Sequence, residues 1–174
     1  MEFFEVLKQR HSIRNYSSRP VMQERLDHVL AAANSAPSAG NYQSYEIYVV
    51  TKVKQRAALA KACEAQGFVL VAPVALVFCA NPSRCVHEYG SRGKSLYAMQ
   101  DATIACAYAQ LAAAAEGLGS CWVGAFDPAE IRDLLGAPKG LVPVAILSVG
   151  YPSGKAEIKG RRKLSEIVHT DEQA

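Results

Sequence analysis

The sequence lacks the motifs that mark the commonest catalytic and nucleotide-binding classes. It contains neither a G-x-x-x-x-G-K-S/T phosphate loop nor a G-x-S-x-G nucleophile turn. The nearest approach to G-x-G-x-x-G, at Gly117 and Gly119, has Trp122 in place of the third glycine and closes a helical pattern. No histidine has a plausible Ser or Cys nucleophile beside it, and no pair of carboxylates stands out. The chain therefore has few candidate residues for general acid–base catalysis, which favours chemistry supplied by a cofactor.

Cysteine usage and net charge exclude further classes. The five cysteines are an odd number without C-x-x-C spacing, so neither a disulfide framework nor a zinc site is expected. A net charge of +3 over 174 residues is too small to indicate a nucleic-acid partner. The amphipathic N-terminus has no apolar run of the signal-peptide type. These features predict one cytoplasmic domain with no nucleic-acid or membrane partner and no metal.

The sequence does contain one long Ala-rich helical stretch, residues 96–116, in which nine of 21 residues are alanine. Asp101 and Glu116 are its only charged residues, so most of its surface is expected to pack against protein. The 14 uncharged residues between them fall short of the roughly 20 that a membrane span needs. The helix therefore fills the core of a monomer or forms the seam between two copies of the chain. Gly117 is predicted to cap it in the left-handed conformation.

The rest of the chain mixes helices and strands without regular βαβ units, which predicts an α+β fold. Helices are predicted for residues 3–9, 23–33, 53–64 and 128–135, and strands for residues 45–51, 74–80 and 141–149. Residues 35–44 and 81–93 are expected to be loops, and residues 119–125 a Gly-rich turn.

Two cationic clusters are candidates for binding a phosphate. Arg10, Ser12 and Arg14 offer two guanidinium groups and a hydroxyl within five residues. The C-terminal segment supplies a second set: Lys155, Lys159, Arg161, Arg162 and Lys163. Taken singly, the first cluster is better explained by helix-end charge and the second by a solubilising tail.

Two further stretches suit a flat heteroaromatic ligand. The segment 37–43 carries the amides of Asn41 and Gln43, each of which both donates and accepts hydrogen bonds. In the segment 119–125, Gly124 would let the backbone approach a ring, and Trp122 could pack on it. An ordinary turn explains either stretch by itself.

Together these stretches resemble the nitroreductase family of FMN-dependent oxidoreductases. The resemblance rests on five segments in family order: RHSIRNY (10–16), SAPSAGNYQSYEIYVV (35–50), QDATIACAYAQLAAAAEGLGSCWVGAF (100–126), VPVAILSVGYP (142–152) and GRRKLSEIVH (160–169). It implies a central, mostly antiparallel sheet flanked by helices, and an intertwined homodimer. FMN would lie at the dimer interface, with the Ala-rich helix at the seam.

The residues that match the family's FMN contacts fall into three groups. Six would hold the phosphate, ribityl and pyrimidine regions: Arg10, His11, Ser12, Arg14, Lys159 and Arg161. Five would reach the cofactor from the other subunit: Pro37, Ser38, Ala39, Asn41 and Gln43. Three would line the isoalloxazine, with a backbone N–H near Gly124 on flavin N5: Trp122, Val123 and Gly124. Gln66 lies near a polar contact of the family but lacks its basic companion, and residues 81–93 match no family pattern.

The resemblance implies that NAD(P)H reduces FMN, which then reduces a small acceptor such as a nitroaromatic or a quinone. Two other hypotheses stay open. One is a flavoprotein of the same fold with different chemistry: dehalogenation, flavin fragmentation or dehydrogenation of a carbon–carbon bond. The other is a non-enzymatic module whose basic tail binds an anionic partner, with a steep dependence on salt.

Overall fold

The structure, a computed structural model that describes residues 2–64, 66–154 and 156–171, is built around a four-stranded sheet. Its strands are β1 (Tyr45–Val50), β2 (Val74–Ala80), β3 (Gly119–Val123) and β4 (Val142–Gly150). They lie in the order β1-β2-β4-β3, and every pairing is antiparallel. The central strands β2 and β4 are almost entirely buried, as their apolar runs predict.

Helices cover both faces of the sheet. In the described part of the chain they are α1 (Phe3–Gln9), α2 (Gln23–Asn34), α3 (Val53–Ala62), α4 (Phe68–Val71), α5 (Val86–Arg92), α6 (Ala98–Ala115) and α7 (Pro128–Leu135). Leu76 and Phe78 of β2 point toward α2 and α6, whereas Val77 and Cys79 point toward α3, α4 and α7. This period-two alternation divides the core into two layers, one on each face of the sheet.

The long helix α6 leaves one face open. Its side toward α2 and the sheet is fully buried: Ala98, Ala102, Ala105, Cys106, Ala109 and Ala113. The opposite side exposes Thr103, Ala107 and Tyr108. The helix follows a π-helical turn (Gly93–Tyr97) and ends before Gly117, whose φ of +71° confirms the predicted cap. Since this side is exposed, α6 is not sealed inside the core of its own chain.

Two predicted irregular segments are in fact regular. Residues 81–93 contain a 3-10 turn (Pro82–Arg84) and helix α5, whose polar sequence and kink at Gly90 conceal the helical period. Residues 119–123 form the edge strand β3, which is short and owes its pairing to β4. A Cβ atom at Gly119 would lie 2.8 Å from Ile13 Cγ1, so this glycine provides space for a neighbouring segment.

The predicted start of helix α7 is confirmed. Helix α7 begins at the Asp127 cap, whose Oδ1 accepts hydrogen bonds from the N–H groups of Ala129 (2.7 Å) and Glu130 (3.2 Å). All five cysteines are free and buried. Burial raises the pKa of the Cys63 thiol to about 11. Among the described residues, no helix is both long and apolar enough to cross a bilayer.

Candidate cofactor site

The segment after α1 and the C-terminal segment meet in a cavity of about 250 Å³. Seven residues line it: Arg10, His11, Ser12, Arg14, Glu157, Lys159 and Arg161. Four of them carry cationic groups, against the single carboxylate of Glu157, whose Oε1 lies 3.6 Å from Lys159 Nζ. A cavity with this charge balance suits a phosphate, which is close to doubly negative at neutral pH.

Strand β3 and the turn after β4 position the N-terminal half of this cavity. Ser12 pairs with Ser120, and the N–H of Ile13 donates to Ser120 O at 2.8 Å. On the other side, the N–H of Ser153 donates to Asn15 O at 2.9 Å. Residues 12–15 are therefore bound on both sides by backbone hydrogen bonds, which fixes the direction in which Arg14 leaves the chain.

Tyr16 anchors the end of this segment in the core. Its hydroxyl donates to Ile13 O at 2.6 Å and lies 2.8 Å from Ser148 Oγ on β4. Burial raises the pKa of Tyr16 far above its usual value, while the hydrogen bond with Ser148 opposes that shift. The phenol stays neutral, so it acts as a hydrogen-bonding anchor.

Arg14 connects the cavity with two elements that the family resemblance places along the flavin. Its guanidinium carbon lies 5.9 Å from the centroid of the Phe68 ring, at the start of α4 and two residues after Gln66. Burial raises the pKa of the Cys121 thiol on β3, and the nearby Arg14 and Ser12 partly oppose that shift. Phe68 and Cys121 therefore both lie near Arg14, whereas Gln66 is not among the described residues that line the cavity.

In the segment 122–124, the groups available to a ring-shaped ligand are mainly backbone atoms and the indole of Trp122. The Val123 side chain is buried in the core, so only its main chain can contact a ligand. Trp122 is half-buried and Gly124 is exposed. A Cβ atom at Gly124 would lie 3.9 Å from Trp122 Nε1, an ordinary contact, so none of the described residues requires glycine there.

The amide loop 37–43 lies elsewhere. The N–H groups of Ala39 and Ser44 donate to the two carboxylate oxygens of Asp101, near the start of α6, at 3.0 and 3.1 Å. None of the described residues that line the cationic cavity comes from this loop. A neighbouring cavity of about 150 Å³ contains Arg10 together with Ala114, near the end of α6. Asp101 and Ala114 are separated by about 20 Å of helix, so within one chain the cationic cavity and the amide loop lie near opposite ends of α6.

Helix α5 packs on this loop through a cluster of aromatic rings. The Tyr42 ring lies edge-on to His87 (5.1 Å between centroids) and to Tyr89 (5.9 Å), and Tyr89 lies edge-on to Tyr97 (5.1 Å). Arg84 Nε donates to Tyr42 O at 3.1 Å. Residues 81–93, which were expected to be a loop, therefore form a regular segment that packs beside the amide loop.

Three residues at the cationic cavity or the amide loop were not predicted from the sequence: Tyr16, Asp101 and Glu157. A lone acid near the start of an apolar helix was a usable signal for Asp101, whereas nothing in the sequence pattern distinguishes Glu157 from other tail residues. In the basic tail, Arg162 lies outside the cavity lining and pairs with Glu166 at 3.2 Å. Lys155, also among the predicted cations, lies outside the described residues.

Comparison with known proteins decides the family. The sequence model of the Nitroreductase family matches residues 7–81 and 62–151 of this chain, well over half of its length. The chain belongs to the nitroreductase family.

Other nitroreductase-family proteins resemble it over nearly all of its length. An FMN reductase (NAD(P)H) from Bacillus subtilis is 31% identical over 98% of this chain and 74% of its own. An NADH dehydrogenase from Thermus thermophilus is 30% identical over 91% of both chains. The solved structure of the NADPH:FMN oxidoreductase from Vibrio harveyi complexed with NAD+ superimposes with a TM-score of 0.89 at 26% identity, covering 97% of this chain and 76% of that one. The nitroreductase fold predicted from the motifs is confirmed.

Proposed function

We propose that this nitroreductase-family chain is an NAD(P)H-dependent FMN oxidoreductase with two FMN sites per homodimer. The observation that carries the proposal is the cationic cavity, in which side chains from both ends of the polypeptide surround a phosphate-sized space. Arg10, Arg14, Lys159 and Arg161 would neutralise the FMN phosphate, and Ser12 would supply a hydroxyl donor. These donors fit the group chemically because a phosphate dianion offers several strong acceptor oxygens to cationic N–H groups.

The remaining FMN contacts are assigned on the same basis. His11 would add its backbone beside the phosphate, and Gln66 would approach the flavin from the Arg14 side. Trp122, Val123 and Gly124 would present an indole and a strand backbone to the ring, with the N–H near Gly124 directed at flavin N5. From the second subunit, five loop residues would complete the site: Pro37, Ser38, Ala39, Asn41 and Gln43.

Homodimerisation is supported by the positions of the cationic cavity and the amide loop 37–43, which are the two half-sites of the proposed FMN site. Since they lie near opposite ends of α6, antiparallel packing of two α6 helices would bring the amide loop of one copy toward the cations of the other. The face needed for this packing is exposed in a single chain and carries Thr103, Ala107 and Tyr108. A second copy would also cover apolar side chains at both chain ends, such as Phe4 (72% exposed), Ile158 (76%) and Leu164 (73%).

Bound FMN supplies the hydride and electron transfer, and the chain supplies binding, orientation and electrostatics. Cations beside the cofactor would stabilise negative charge on a reduced flavin without reorganising. The names of the relatives, FMN reductase and NADPH:FMN oxidoreductase, support NAD(P)H as the donor. A small oxidant such as a nitroaromatic or a quinone would be the acceptor. Five buried, free thiols support a reducing cytoplasmic location.

Titration of the purified protein with FMN, followed by flavin fluorescence, tests the proposal. FMN should bind, and anaerobic NADH or NADPH should bleach its visible absorbance, which a nitroaromatic or a quinone should restore. If the protein binds FMN but both nicotinamides reduce that FMN only slowly, the chain is a flavoprotein of the same fold that catalyses a different reaction. A protein that takes up no FMN contradicts the proposal outright.

A further inference from the structure

Asp101 is an unusual residue to find inside this fold. Its side chain is only 2% exposed, and it is one of just two buried charged side chains among the described residues, the other being Arg56. None of the ion pairs formed by the described residues includes Asp101. A buried carboxylate is costly unless hydrogen bonds compensate it, so Asp101 needs partners that satisfy both of its oxygens.

Those partners are two backbone N–H groups at the two ends of one loop. Asp101 Oδ1 accepts from Ala39 (3.0 Å), and Oδ2 accepts from Ser44 (3.1 Å). Within the described part of the chain the Ser44 Oγ has no hydrogen-bond partner, so the attachment at that end is through the backbone. Ser38, just before Ala39, closes the same loop (38–43), because its Oγ accepts from the N–H of Gln43 at 3.0 Å.

The loop between these attachment points has a backbone conformation that is unfavourable for most residues. Gly40, Asn41 and Gln43 have φ values of +54°, +58° and +49°. The left-handed region is unfavourable for residues with a Cβ atom, so Asn41 and Gln43 keep this conformation only if neighbouring groups hold it. A carboxylate suits that task because it offers one acceptor to each N–H group and no donor.

We propose that Asp101 is a positioning residue that holds the loop 38–43 in the shape that presents its amides to FMN across the subunit interface. This inference rests on the proposed function, because it concerns the same cofactor. Asp101 itself would not touch FMN. An Asn side chain at this position would keep one acceptor but turn its NH₂ group toward the other backbone N–H. Asp101→Asn should therefore release one end of the loop while keeping the size of the side chain.

The test compares Asp101→Asn with Ser44→Ala in the full-length protein. Ser44→Ala removes the adjacent, unpartnered hydroxyl and leaves the N–H bond to Asp101 intact. We expect at least tenfold weaker FMN binding for Asp101→Asn and a change below twofold for Ser44→Ala. Binding of ribose 5-phosphate, measured by competition, should be unchanged in both variants, because this ligand carries the phosphate without the ring.

The possible outcomes separate this inference from the proposed function. If wild type binds FMN and Asp101→Asn binds it equally well, the positioning role is wrong and the proposed function stands. If FMN and ribose 5-phosphate weaken together, Asp101 supports the fold generally and the positioning role is again wrong. If wild type binds no FMN, both proposals fall.

A measurement on wild type alone covers the case in which Asp101→Asn does not fold. The amide protons of Ala39 and Ser44 should exchange with solvent far more slowly than that of Gly40 and slow further when FMN is added. Free exchange at Ala39 and Ser44 would overturn the inference.

Discussion

The hydroxyl group of Tyr16 lies 2.8 Å from Ser148 Oγ and so ties the N-terminal cationic segment to the central strand β4. The same hydroxyl donates to Ile13 O at 2.6 Å, closing the turn that carries Arg14. Ser148 Oγ, the donor in the contact with Tyr16, also lies 3.2 Å from Cys121 O of the neighbouring strand β3. These buried polar contacts join the cation-bearing segment to two strands of the sheet.

Removing the Tyr16 hydroxyl should weaken both the fold and the cofactor site. Tyr16→Phe removes the donor to the partly buried carbonyl of Ile13 and the acceptor for Ser148, and we expect a loss of about 1–2 kcal/mol in the free energy of unfolding. FMN affinity should fall several-fold as Arg14 gains freedom. Chemical denaturation and FMN titration measure the two effects, with Tyr48→Phe on edge strand β1 as the matched control. Equal behaviour of the two variants would contradict the anchoring role.

Two adjacent arginines in the C-terminal segment offer a sharp test of the phosphate contacts. Arg161 lines the cationic cavity, whereas Arg162 bonds to Glu166 outside it. Arg161→Ala should weaken FMN binding by about 2 kcal/mol, close to 30-fold, because a charge-assisted hydrogen bond is lost. Arg162→Ala should leave FMN affinity within about twofold of wild type, since exposed ion pairs contribute little. Isothermal titration decides, and equal losses would show that the tail acts only through its overall charge.

The carboxylate of Glu157 opposes the proposed ligand. It lines the cavity beside four cations and lies near Lys159, where its charge repels a phosphate. Glu157→Gln should therefore tighten FMN binding by a few-fold at low salt, and the gain should shrink as ionic strength rises. Glu166→Gln, which removes the same charge from outside the cavity, serves as the control. Weaker binding in Glu157→Gln would mean that this carboxylate orders the cations instead of competing with their ligand.

Buried thiols should make the fold sensitive to alkali. Burial raises the pKa of Cys63 to about 11, whereas an unfolded thiol titrates near 8.5. Between these values the unfolded chain binds fewer protons than the folded one, so the free energy of unfolding falls as pH rises from about 9 to 11. Cys63→Ala should flatten this part of the profile. Denaturation midpoints at several pH values check it, and an unchanged slope would contradict the assignment to Cys63.

Strong periodicity predicted the parts of the fold that carry most of the core. β2 and β4 are continuous apolar strands, and α2, α6 and α7 have clear apolar faces or caps, so local sequence determines them. β3 was not predicted because a five-residue segment that contains a glycine has little intrinsic preference for a strand. This strand forms because β4 and the Ile13 segment supply its partners.

Most of the proposed site residues could be named from motifs, and the family resemblance already grouped cations from both chain ends at one phosphate. Local sequence pattern alone does not encode the meeting of Arg10 with Arg161, because their segments lie about 150 residues apart. The attachment of Ala39 and Ser44 to Asp101 is likewise invisible, because the donors are backbone groups present in every residue. The separation of the half-sites at opposite ends of α6 emerged only from the folded chain.

A mixed dimer tests the central claim, that each FMN site combines cations from one subunit with a loop from the other. One variant carries Arg10→Ala and Arg161→Ala; the second carries Asn41→Gly and Gln43→Gly, which remove both amides at positive-φ positions that glycine tolerates. Each variant alone should bind FMN poorly. Co-expressed, they should recover about a quarter of the wild-type number of tight FMN sites, because half of the dimers are mixed and each mixed dimer has one intact site. Recovery of no tight sites would contradict a site shared between subunits.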